Sequence, residues 1–193
     1  PVTVDLNVKT NFNYNNNSIA MITTSSGDSY LQAGDPATQD NWVVVDDSDT
    51  TDPFVSSGIP PSSFVWGGPD AADNIDTAAF TPWTAAYSPS RLAAVWGNVT
   101  VQPGESVAFM HFEVQQSGRE ASQSSAERLV QLPPEALSGM SLAEGDIVRN
   151  FAIPSDGSST LSPLPILTVE VYGLVRASEG LTIAPSGSLV YMN

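Results

Sequence analysis

Apolar and polar positions alternate along much of the chain. Val2-Thr3-Val4-Asp5-Leu6-Asn7-Val8 has the period of two that marks a half-buried strand. Residues 11–17 hold five Asn and read as a turn or loop. Ile19-Ala20-Met21-Ile22-Thr23-Thr24 predicts a second strand, closed by Ser25-Ser26-Gly27-Asp28. Trp42-Val43-Val44-Val45 is a short apolar run flanked by acids, the signature of a strand buried on both faces. Residues 46–61 carry Pro53, Gly58, Pro60 and Pro61 and read as loop. Phe64-Val65-Trp66 predicts a short strand ended by Gly67-Gly68-Pro69, and 70–90 reads as a long irregular segment.

Residues 91–101 and 106–114 predict two strands joined by Gln102-Pro103-Gly104-Glu105, where Pro-Gly suits a type II, hairpin-like turn. In the second strand Ala108, Met110, Phe112 and Val114 share one face, and Val107, Phe109, His111 and Glu113 the other. The period then changes. Residues 119–132 are rich in Ala and Glu, with Ala126, Leu129 and Val130 at helical spacing, and stop at Pro133-Pro134. Ser141-Leu142-Ala143-Glu144 is a capping box opening a short helix whose Ile147, Val148 and Phe151 can cover a core face. Residues 156–162 read as a Gly/Ser loop, 166–175 as a long strand, and 181–183 and 188–192 as two short ones. The sum predicts one mainly β domain over 1–193. Its fold class is an antiparallel β-sandwich, Ig-like or jelly-roll-like, with a short helical insertion at 119–151 and C-terminal strands in 154–193.

Charge narrows the partners. The chain has 193 residues, 21 acids against six Lys plus Arg, and a net charge of −15. Residues 1–76 hold eleven Asp, no Glu and one cation, Lys9. Asp favours turns and caps whereas Glu tolerates helices, so the first half reads as strands with Asp-rich loops. Nucleic acid and anionic membrane surfaces repel such a chain. No stretch approaches the about 18 apolar residues of a membrane span. With no Cys, thiolate metal sites, Cys nucleophiles and disulfides are excluded. The chain opens at Pro1 directly in a strand-like pattern and reads as a mature or excised segment. Its Ser/Thr/Asn/Gly-rich, Lys-poor composition fits a secreted surface protein.

Several motifs together carry a resemblance. They are Thr23-Thr24-Ser25-Ser26-Gly27-Asp28, Asn41-Trp42-Val43-Val44-Val45-Asp46-Asp47 and Val65-Trp66-Gly67-Gly68-Pro69. To these add Val101 with Pro103-Gly104-Glu105-Ser106-Val107-Ala108-Phe109-Met110-His111-Phe112, and the helical stretch from Glu127 to Asn150-Phe151. Over roughly residues 18–153 the chain resembles an uncharacterised β-sandwich module of large secreted bacterial surface and adhesin-like proteins. The motifs are turn and core motifs, so the resemblance implies an extracellular module and names no ligand. Both ends of the chain depart from that pattern.

Candidate chemistry is sparse. Asp46, Asp47, Asp49 and Asp52 fall within seven residues, and Asp70, Asp73 and Asp76, with Asn74, form a second cluster. Hard cations such as Ca²⁺ want several oxygen ligands on a flexible loop. The alternative is a solvated turn, since neither run has the Gly and terminal Glu of an EF-hand loop. His111 is the lone His, so it offers the one imidazole base, or a structural residue on a strand face. A glycosidase needs two carboxylates about 5–10 Å apart, and Glu113 and Glu170 are the strand-borne candidates. Trp83 and Tyr87, beside Pro82 and Pro89, are candidates for stacking on sugars, whereas Trp42, Trp66 and Trp96 sit among core residues. Asn16-Asn17-Ser18 and Asn98-Val99-Thr100 are glycosylation sequons.

These readings converge on a non-enzymatic, extracellular structural or adhesive module without a cofactor, or with Ca²⁺ in its acidic loops. Its partners are other copies, met through sheet edges or a donated terminal strand in a filament, and neighbouring surface domains. The alternatives are a carbohydrate-binding module and, third, a glycan-active hydrolase.

Overall fold

The computed structural model describes residues 1–12, 19–48, 53–54, 59–82 and 89–165. The chain divides into two compact units, Pro1–Pro163 and Leu164–Asn193, and every element described lies in the first. Seven strands form two antiparallel sheets. β1 (Val2–Phe12), β6 (Ser90–Val101) and β5 (Thr77–Thr81) make a three-stranded sheet in the order β1-β6-β5. β2 (Ile19–Thr24), β3 (Trp42–Asp47), β4 (Ser62–Val65) and β7 (Phe112–Gln115) make a four-stranded sheet in the order β2-β3-β4-β7. The expected mainly β, sandwich-like architecture is therefore present.

Two apolar cores flank the four-stranded sheet. The first lies between the sheets and joins Val43, Val45, Phe64 and Trp66 to Leu92, Ala94, Trp96 and Val99. The second lies on the sheet's other face, where Trp42, Val44 and Val65 meet Ala126, Leu132, Leu137, Val148 and Phe151. Successive β3 side chains thus enter different cores, and all six of its residues are buried, as the Trp-Val-Val-Val run predicts.

The helical layer follows from local signals. α1 (Arg119–Leu129) puts Ser122 and Ala126 against the sheet, and their small size lets the helix approach closely. It ends before Pro133-Pro134, and α2 (Pro134–Leu137) begins with Pro at its first turn. α3 (Leu142–Gly145) carries the expected capping box between Ser141 and Glu144. The expected helix does not reach Ile147, Val148 and Phe151: α3 stops at Gly145, and Val148 and Phe151 enter the core from the non-helical chain that follows.

Three further expectations change. β1 runs on to Phe12. The stretch read as irregular holds β5, whose Thr77-Ala78-Ala79-Phe80-Thr81 alternates with too little apolar contrast to stand out. The Pro-Gly turn has the expected geometry, with Gly104 at φ +83° and Glu105 N–H bonded to the Gln102 carbonyl at 3.0 Å. It does not close a hairpin: β6 belongs to one sheet and β7 to the other. Residues 108–110 pair elsewhere. Ala108 N–H donates to Ile147 O at 2.8 Å, Arg149 N–H to Ala108 O at 2.9 Å, and Met110 N–H to Asn150 Oδ1 at 2.9 Å. The helical layer takes the hydrogen bonds that a longer β7 would have used. The strands predicted at 166–175, 181–183 and 188–192 lie outside the described residues.

Candidate functional site

The acids brace the fold. Asp46, fully buried at the end of β3, accepts Arg119 Nε at 2.6 Å, and Arg119 Nη2 lies 3.7 Å from the Asp47 carboxylate. This pair ties the first turn of α1 to the sheet. Burial pushes the Asp46 pKa above the ordinary carboxylate value; the Arg119 hydrogen bond pulls the other way, and burial wins. Asp49 and Asp52 lie outside the described residues.

The second cluster is spread rather than focused. Asp70 is exposed at φ +58°, a conformation Asp tolerates. Asp73 accepts Arg149 Nε at 3.0 Å and Nη2 at 3.3 Å, and its charge raises the Arg149 pKa. Asp76 Oδ2 accepts Gly97 N–H at 2.6 Å, while Asp5 Oδ1 accepts Asn98 N–H at 2.9 Å. These two carboxylates cap a β-bulge, where the β1–β6 register slips between Val4 and Leu6 and Asn98 sits at φ +55°. Asn74 Oδ1 accepts Gln39 Nε2 at 2.7 Å. Among the described residues, no three of His, Asp and Glu are grouped to hold a metal ion.

Two structural polar groups are absent from the expected set. Asp40, with no exposed surface, accepts Ser25 hydroxyl at 3.1 Å, Ser26 N–H at 2.9 Å and Gln32 N–H at 2.8 Å, closing the loop between β2 and β3. Asn150, equally buried, donates to Trp66 O at 2.7 Å and Met110 O at 2.5 Å. Asp40 sits in the polar run Thr38-Gln39-Asp40-Asn41 and Asn150 between Arg149 and Phe151, so nothing local in the sequence separates either from a solvated loop residue.

Trp42, Trp66 and Trp96 are core residues, as expected. Trp83, Tyr87, Glu170 and the Asn16 sequon lie outside the described residues, and the Asn98 sequon is exposed at the bulge. His111 is exposed just before β7.

A cavity of about 670 Å³ lies between the sheets, where β1 and β3 end and β2 and β4 begin. Phe12, Ile19, Val45, Ile59 and Phe64 supply its apolar floor. Phe12 and Phe64 meet edge to face, with centroids 5.5 Å apart and rings at 84°. Thr10, Asn11, Ser62, Glu113 and Gln115 supply its polar wall. Thr10 hydroxyl donates to Glu113 at 2.9 Å, stitching β1 to β7 across the gap. A small adjoining cleft shares Thr10, Phe64 and Glu113 and is bordered by His111. Asp46 borders the cavity too, while its carboxylate is engaged by Arg119. Glu113 and Asp46 are thus the expected carboxylates bordering this cavity, while Asp73 and Asp76 line a separate concavity of about 220 Å³ with Asn74 and Gly97.

No family model, no curated protein and no solved structure matches the chain. The layered architecture and the geometry of these groups are the grounds for a functional reading.

Proposed function

We propose that this chain is a non-enzymatic structural and adhesive module of an extracellular surface. The observation supporting this most is the use made of the acids. Asp5, Asp40, Asp46, Asp73 and Asp76 each hold main-chain N–H groups, hydroxyls or an Arg. A carboxylate spent on holding the fold is not poised to exchange protons with a substrate. Its partners are other copies and neighbouring surface domains. Among the described strands β1 is the long outer strand of its sheet, and its own Val2 and Val4 are 63% and 46% exposed. Such an edge suits strand-to-strand association.

Sedimentation of the whole chain over a wide concentration range tests this reading. Because each copy carries −15, association is expected to grow as salt screens the repulsion. A strict monomer at every concentration and salt would count against edge association. Release of products from any polysaccharide would contradict the non-enzymatic reading. The variant with Ca²⁺ in the acidic loops is checked by melting in Ca²⁺ against chelator, where a resident ion raises the midpoint.

A further inference from the structure

We infer that the inter-sheet cavity beside Thr10, Phe12 and Glu113 binds a neutral sugar residue. This adds a ligand to the proposed module and stands on separate observations. The cavity volume, about 670 Å³, falls within the range of ligand sites, about 300–1,000 Å³. A pyranose ring is amphipathic: one face is C–H, and the rim bears hydroxyls that donate and accept. The cavity has the matching halves. Phe12 and Phe64 offer aromatic surface to the C–H face. Gln115 offers an amide that donates and accepts, Ser62 an oxygen that accepts while its proton goes to Pro60 O, and Glu113 a carboxylate anchored on one side by Thr10.

Charge selects among ligands. Among the described residues no Lys or Arg borders the cavity, and the chain carries −15, which disfavours anionic sugars. Cations gain less than two carboxylates would suggest. Asp46 is already paired with Arg119, and Arg91 Nε sits 3.2 Å from Asn11 Oδ1, just behind the wall. A neutral, hydroxyl-rich ring satisfies both conditions.

The test is an amide chemical-shift titration of the isotope-labelled whole chain. The probes are neutral gluco-, manno-, xylo- and chito-hexasaccharides, with an oligogalacturonate as the anionic control. At least one neutral probe should shift the amides of 10–12 and 113–115 and bind in the micromolar to millimolar range. Glu113→Gln and Gln115→Ala lie on an exposed strand edge, so both should fold with an unchanged melting midpoint. Each should weaken that binding about tenfold, the loss of one hydrogen bond to a polar ligand group. The inference is overturned if no neutral probe shifts these amides at about 10 mM. Binding of the oligogalacturonate alone, shifts confined to other surfaces, or variants that bind as wild type overturn it equally. Cleavage of a bound probe would keep the site and remove the non-enzymatic reading, so the two failures are distinct.

Discussion

The two faces of the four-stranded sheet are built from the same strands and finished differently. On one face the helical layer covers the core: there Asp46 meets Arg119 and Asn150 meets Met110 and Trp66, while Asp46 Oδ1, Ser63 Oγ and Ser122 Oγ are buried with no hydrogen-bond partner among the described residues. On the other face the three-stranded sheet closes most of the core but leaves an opening between β1 and β7, bridged by Thr10 and Glu113. The difference teaches where a layered scaffold has freedom. The covered face tolerates little change at Asp46 and Asn150, because both are fully buried with their partners. An open face can change its polar lining without unfolding the protein, so recognition belongs there.

Substitutions at the two faces should therefore differ in kind. The largest effect is expected for Asn150→Ala, which strands the Met110 N–H and two carbonyls; the expected loss is about 3 kcal/mol or more in urea unfolding. Arg119→Ala comes next. It leaves Asp46 buried without its cation and should cost about 3 kcal/mol, whereas the pair-free Asp46→Leu/Arg119→Met double variant should recover part of this. Gly68→Ala should cost about 1–3 kcal/mol, because a Cβ there would stand 2.8 Å from Phe151 Cδ1. The smallest effect belongs to the open face: Glu113→Gln should change stability by no more than about 0.5 kcal/mol.

Asp46 also gives the comparison a pH signature. Its folded pKa is raised, so the folded state holds the proton more tightly than the unfolded state. Its contribution is best at low pH and declines as pH rises from the ordinary Asp value of 3.8 through the raised one. Asp46→Asn should remove that decline from the stability-versus-pH curve. Glu144 and Asp156 act with the opposite sign. Hydrogen bonds from Ser141 and Ser158 lower their pKa values, so what they contribute is present at neutral pH and lost as pH falls.

Local pattern made much of this fold legible, and long-range pairing is where legibility ended. The Trp42–Val45 run announced a strand buried on both faces because apolar residues occupied both phases of the alternation. The 107–113 alternation also sorted its side chains correctly: Val107 and Phe109 face the inter-sheet core, and Ala108, Met110 and Phe112 the helical layer. Yet the same residues were expected to pair as a hairpin, and they do not. Which chain satisfies a backbone depends on residues far away, here 147–150, and nothing local encodes that choice. The cavity was illegible for the same reason, since Thr10, Phe12, Phe64 and Glu113 come from three strands distant in sequence. Of its residues, the sequence singles out Asp46 as a cation ligand and Glu113 as a carboxylate without a setting, and neither reading points to a cavity.

Native-state hydrogen exchange tests most directly whether one face is sealed and the other open. The account predicts that the hydrogen-bonded amides of Val43–Val45 and of Met110 exchange only through global unfolding. Those of 10–12 and 113–115 should exchange through local opening, at lower free energy. Equal protection on both sides, or faster exchange at Met110 than at Thr10, would contradict it.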